Sequence, residues 1–159
     1  MKINITPKEA SIYLGNKHKE FAKLTERFGL CEMNWRKDRT THFAALVETI
    51  CYQQLAGKAA ATIHGRVLTV LDNKATPENV MKVSDKELRG AGLSQNKLLS
   101  IRSLTQHVME SKLNLQSISR YNDEEVIEKL IQVRGIGRWS AQMFLMERLK
   151  RLNVWPTGD

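Results

Sequence analysis

LIQVRGIGRWSAQMF, residues 130–144, sets two glycines one residue apart between two runs with helical spacing, and flanks them with Arg134 and Arg138. A chain that turns sharply from one helix into another needs positions with positive φ, and Gly135 and Gly137 accept it without a Cβ penalty. Missing side chains also let the backbone N–H groups around Gly135 to Arg138 approach an anion, and the amino end of the next helix adds positive dipole. Ile136 is expected to fix the turn by pointing into the core. Arg138 and Ser140 are expected to reach phosphate oxygens from the first helical turn. A plain helix-helix connection would use the same glycines, and a lone Gly-x-Gly does not separate the two readings. What favours a hairpin for a nucleic-acid backbone is the order of helix, Gly-x-Gly, Arg, the small residues Ser140 and Ala141, and an apolar helix, in a basic setting.

That setting is visible in the counts. The 159 residues carry 25 Lys and Arg against 17 Asp and Glu, a formal charge of +8, which attracts polyanions through long-range fields and counterion release. Residues 129–159 concentrate the excess, with Lys129, Arg134, Arg138, Arg148, Lys150 and Arg151 against Glu147 and Asp159. Two cysteines, Cys31 and Cys51, make no disulfide framework and show no metal-ligand spacing, which predicts a reduced intracellular compartment and no metal. The first residues lack the apolar core of a signal peptide, and no apolar run approaches the roughly 20 residues of a membrane span. A soluble protein with no membrane partner is expected, as one domain or two small lobes on a shared core.

Helix signals recur along the chain, and period-two alternation is absent. Thr6-Pro7-Lys8-Glu9 offers a cap, a proline at the first helical position and a capping box. Phe21, Leu24 and Phe28 share a face before Gly29, a residue suited to a left-handed C-cap. From Thr41 the run Phe43 to Cys51 is apolar nearly all round, which predicts a central buried helix. Further starts stand at Gly57, Thr76-Pro77, Ser84 to Glu87, Ser94 and Asn122 to Glu125. The expectation is eight to ten short helices, with residues 30–40 as an irregular connection. The last two should cover about 123–132 and 138–150.

VRGIGRWSA (133–141) followed by VWPTGD (154–159) resembles the helix-hairpin-helix signature and acidic loop of the helix-hairpin-helix DNA glycosylase superfamily. FAALVETICYQQLAGKAAATIHGRV (43–67) and LRGAGLSQNKLLSIRSL (88–104) extend the likeness over most of residues 18–159, and the segments most resemble the alkylated-base, 3-methyladenine type II glycosylases. The resemblance implies an all-α, multi-helix glycosylase domain over 1–159. Its partner would be double-stranded DNA with a flipped damaged base, bound by a monomer in the cytoplasm and nucleoid or in the nucleus. It also implies C-terminal helices beyond the acidic loop. This sequence stops at Asp159, so a fold incomplete at that end, with little or no activity, is expected.

Cutting a base from deoxyribose builds positive charge on the sugar, which calls for a carboxylate near C1′. The resemblance identifies Asp159 as that carboxylate; sequence chemistry alone reads it as a solvated terminal residue. Trp139 stands where strand-cleaving members carry a nucleophilic lysine, which implies a monofunctional enzyme that leaves an abasic site. Its indole could stack on an extruded, electron-poor base or pack the hairpin as core. Met143, one turn later, could line the same pocket. The resemblance places the wedge that fills the vacated duplex in YQQLAG, at Gln54 or, second, Leu55; sequence chemistry alone reads this helix-end polar pair as a solvated turn. Lys58 is read as a phosphate contact or a solvated lysine, and Ser94 and Lys97 as secondary backbone contacts. The backbone-gripping set is completed by Arg134, Gly135, Gly137, Arg138 and Ser140. None of the four scattered histidines is assigned a role, and no metal or organic cofactor is implied.

The leading expectation is therefore excision of alkylated purines from duplex DNA in base excision repair. A non-catalytic helix-hairpin-helix binding module, or an inactive fragment, would share the glycines and the charge without needing Asp159. A helix-turn-helix regulator comes third, because a recognition helix should display polar base-reading side chains, whereas AQMFLM after the hairpin is apolar and core-like.

Overall fold

The computed structural model describes residues 5–31, 40–156 and 158, so the acidic-loop residue Asp159 and most of the connection expected at 30–40 lie outside the described residues. Among those described, all regular structure is helical and no strand occurs, as the capping pattern requires. Two compact units are present, Met1–Asp38 and Arg39–Asp159.

In the first unit, α1 (Pro7–Lys17) starts as its sequence dictates. The Thr6 hydroxyl accepts from the Glu9 amide, and the Glu9 carboxylate returns to the Thr6 amide at 2.8 Å. That bond holds the Glu9 carboxyl below its ordinary range. α2 (Lys19–Phe28) packs on α1 and stops at Gly29, whose φ of 80° and ψ of 177° are extended in ψ, unlike the left-handed cap expected. Phe21, Leu24 and Phe28 are all exposed.

The second unit holds α3 (His42–Tyr52), α4 (Gly57–Val70), α5 (Pro77–Lys82), α6 (Asp85–Gly90), α7 (Gln95–Met109), a 3-10 turn (Ile118–Arg120), α8 (Asp123–Leu130) and α9 (Arg138–Met143). Its core forms around α3, whose Phe43, Leu46, Val47, Ile50 and Cys51 are buried, and which packs on α4, α7 and the turn after α9. Burial pushes the Cys51 thiol up to about 12, so it serves as a small apolar side chain. α7 supplies Leu98, Ile101 and Leu104 at helical spacing to the same core. Arg102 on α7 holds α5 and α6 by donating to the Val80 and Val83 carbonyls and pairing with Asp85 at 2.8 Å.

The helix after the hairpin departs from the regular run expected over 138–150. α9 ends at Met143 and continues as a π-helical turn, Phe144–Arg148, closed by the Leu149 amide on the Phe144 carbonyl at 3.1 Å. The turn is held where it meets the start of α3. Phe144 meets the His42 ring edge-on with centroids 5.6 Å apart, and Arg148 donates to His42 Nδ1 at 3.1 Å and to the Thr40 carbonyl. Burial, with Arg148 beside it, lowers the pKa of His42.

Candidate nucleic-acid interface

α8 is fixed at its start by the Asn122 and Glu125 capping box and leads into Val133, which is buried. The Ile136 amide closes the turn on the Val133 carbonyl at 3.1 Å, and Ile136 is buried as expected. The two glycines then part ways. Gly135 has φ of 78°, and a Cβ on it would stand 2.1 Å from Ser100 Oγ. Both backbone conformation and close approach to α7 require glycine there. Gly137 has φ of −88° and ψ of 174°, extended backbone that any residue adopts, and a Cβ on it would meet nothing within 4 Å. The reading that both glycines serve positive φ is corrected: only Gly135 does.

Gly137 matters instead for what it omits. Thr41, Ser84, Ser94 and Asn122 each cap their helices with a side-chain oxygen, whereas Gly137 as N-cap of α9, like His18 before α2 and Ala56 before α4, supplies none. The first turns of α6 and α8 carry acids; that of α9 carries none and begins with Arg138. The amino end of α9 is thus left open to an outside acceptor.

The hairpin is seated on α7 by a stripe of small polar residues. Ser103 Oγ accepts from the Arg134 amide at 3.1 Å, Ser100 faces Gly135, and Asn96 Oδ1 accepts from the Arg134 guanidinium at 3.5 Å. From the end of α3, Gln53 Nε2 donates to the Gly135 carbonyl at 2.9 Å and reaches Ser140 Oγ at 3.3 Å. Sequence reasoning passed over Gln53 and this stripe. The signal was there in Asn96, Ser100 and Ser103, which recur at helical spacing beside the apolar face of α7.

The expected backbone-gripping residues are not equally available. Arg134 is exposed at the hairpin. Arg138 is exposed but held by Glu124, with two N–H donors on the carboxylate at 2.7 Å each; this bond lowers the Glu124 pKa and raises that of Arg138. Ser140 is corrected: its side chain is buried and faces Gln53, so its hydroxyl fixes the hairpin from inside. Lys97, read as a secondary backbone contact, turns inward and donates to the Cys51 carbonyl at 2.7 Å. Ser94 is consumed as the cap of α7.

The α3–α4 turn presents Gln54, Leu55 and Lys58 on the surface. Gln54 takes φ of 53°, a left-handed conformation that costs a non-glycine residue roughly 1–2 kcal/mol and recurs at functional turns. Trp139 and Met143, four residues apart on α9 and its end, are both half-buried on one helix face. Gln53 brings the exposed turn and the hairpin together. Among the described residues, no cluster of three or more His, Cys, Asp or Glu could hold a metal ion, and no helix is long and apolar enough to cross a membrane.

Known proteins share this fold. The chain is 33% identical to a DNA-3-methyladenine glycosidase of Bacillus halodurans, with a TM-score of 0.82 over 98% of this chain and 71% of that structure. A Schizosaccharomyces pombe 3-methyladenine DNA glycosylase, solved in complex with abasic DNA, matches at 29% identity and a TM-score of 0.80, covering 94% of this chain and 74% of that one. A DNA-3-methyladenine glycosylase of Saccharomyces cerevisiae is 36% identical over 74% of this chain, which spans 43% of that relative's length. No protein-family model matches.

Proposed function

We propose, because the chain belongs to the helix-hairpin-helix family of 3-methyladenine DNA glycosylases, that it excises alkylated purines from duplex DNA and leaves an abasic site. The observation that carries this reading is the amino end of α9, headed by Gly137 without a side-chain cap or an acid and set beside a hairpin locked onto α7. A DNA phosphate fits there, accepting from backbone N–H groups, while exposed Arg134 adds charge. Arg138 joins when phosphate displaces Glu124, since an exposed pair is weakly held.

Gln54, with Leu55 beside it, would enter the duplex as the base leaves. Its left-handed backbone holds the side chain at the tip of the α3–α4 turn, and Lys58 on the following helix serves the nearby phosphate. Trp139 and Met143 would line the pocket for the extruded base. A cationic alkylated purine favours the face of an indole more than a neutral one does. Asp159 would stabilise the oxocarbenium-like sugar while water takes the place of the base. With Trp139 where a lysine would form a Schiff base, the strand stays intact. The type II subclass, action as a monomer, a single glycosylase domain over 1–159 and work inside the cell belong to the same proposal.

Binding of undamaged duplex at rising salt tests the interface: affinity should fall steeply as counterion release loses its drive. Affinity that is flat across the titration would remove it.

A further inference from the structure

Gln53 is the C-cap of α3: its backbone N–H closes the helix on the Thr49 carbonyl at 3.2 Å, while its side chain leaves α3 for the hairpin. It is partly buried, and its amide nitrogen donates to the Gly135 carbonyl at 2.9 Å and to Ser140 Oγ at 3.3 Å. Those acceptors flank Gly137, one inside the turn and one in the first turn of α9. The Gly135–Ile136 peptide is thereby held at both ends, its carbonyl by Gln53 and its N–H by the Val133 carbonyl. Immediately after Gln53, Gln54 enters the left-handed region. Two residues before it, the Cys51 carbonyl is fastened to α7 by Lys97, and α7 is also the helix on which the hairpin sits.

We propose that Gln53 is a positioning residue that couples the phosphate-gripping hairpin to the wedge turn, so that force applied at the backbone is delivered at the base. This rests on the glycosylase reading. An extruding side chain works only if its turn is braced against the point at which the duplex is held; otherwise binding moves the loop instead of the base. Gln53 is the brace, because a single side-chain amide spans the two pieces. Removing it leaves the hairpin seated on Ser100 and Ser103, so duplex binding survives while extrusion is lost.

The test compares Gln53→Met and Gln53→Glu with the wild-type chain on a duplex containing 2-aminopurine, whose fluorescence rises on unstacking, with affinity read in parallel by anisotropy. Gln53→Met should lower the extrusion signal at saturating protein about tenfold while weakening affinity no more than about threefold. Gln53→Glu adds a pH signature. Its carboxylate faces the Gly135 carbonyl at pH 8 and cannot donate, whereas its protonated form donates again, so its extrusion relative to wild type should recover towards pH 5. That ratio should stay flat for Gln53→Met, and the glutamate profile decides the matter should the methionine variant fail to fold. Wild-type extrusion by both variants at every pH, or equal losses of affinity and extrusion, would overturn the coupling and leave the glycosylase reading intact. A wild-type chain that binds no duplex would overturn both.

Discussion

Gly135→Ala should destabilise the protein severely although it adds a single methyl group. At φ of 78° the new Cβ sits in the left-handed region, at about 1–2 kcal/mol for an ordinary residue. It would also stand 2.1 Å from Ser100 Oγ and 3.0 Å from Ser100 Cβ. Rotating the hydroxyl away forfeits its bond to the Asn96 carbonyl and leaves the Cβ contact, so overpacking adds about 1–3 kcal/mol. Together these give about 2–5 kcal/mol, which for a chain of this size lowers the melting temperature by about 10 °C. Thermal unfolding measures it, and a double-mutant cycle with Ser100→Gly separates the parts. The second change removes the clash and not the backbone strain, so it should recover about 1–3 kcal/mol of the loss. A Gly135→Ala protein within about 0.5 kcal/mol of wild type would refute the reasoning.

Gly137→Ser should do the reverse, raising stability by a few tenths of a kcal/mol by capping α9 and weakening duplex affinity about tenfold, because the hydroxyl takes the N–H groups that phosphate needs; affinity equal to wild type by anisotropy would contradict it. The lowered pKa of His42 means that the unfolded chain takes up its proton near 6.5, before the folded one does. Stability is therefore full above about 6.5 and falls as pH drops towards the lower folded value, and melting curves of His42→Gln should lose this slope. Native protein should react with a thiol reagent at exposed Cys31 while buried Cys51, raised to about 12, stays silent until unfolding; two fast equivalents would contradict the buried assignment.

The helices were legible because their starts are written locally. Thr6 with Glu9, Ser84 with Glu87 and Asn122 with Glu125 each close the capping box that their spacing announces. Ile136 was legible as an anchor for a similar reason, being the lone apolar residue between two glycines. The separate roles of the glycines were not, since whether Gly135 or Gly137 needs its missing Cβ depends on Ser100, 35 positions back in the chain. Ser140 misled because a small polar residue after a helix start reads as solvent-facing, and only the approach of Gln53 from α3 makes it an interior acceptor. The widened turn at Phe144–Arg148 likewise comes from tertiary ties, His42 and Thr40 to Arg148, that no local pattern encodes.

Release of the modified base from methylated duplex DNA, on this chain and on a form extended beyond Asp159, tests the central claim most directly. The extended form should release 3-methyladenine and leave sites that break only after alkali, while its Asp159→Asn variant keeps duplex affinity and loses turnover by orders of magnitude. No base release from alkylated duplex by a form that binds it, or undiminished release by Asp159→Asn, would contradict the account.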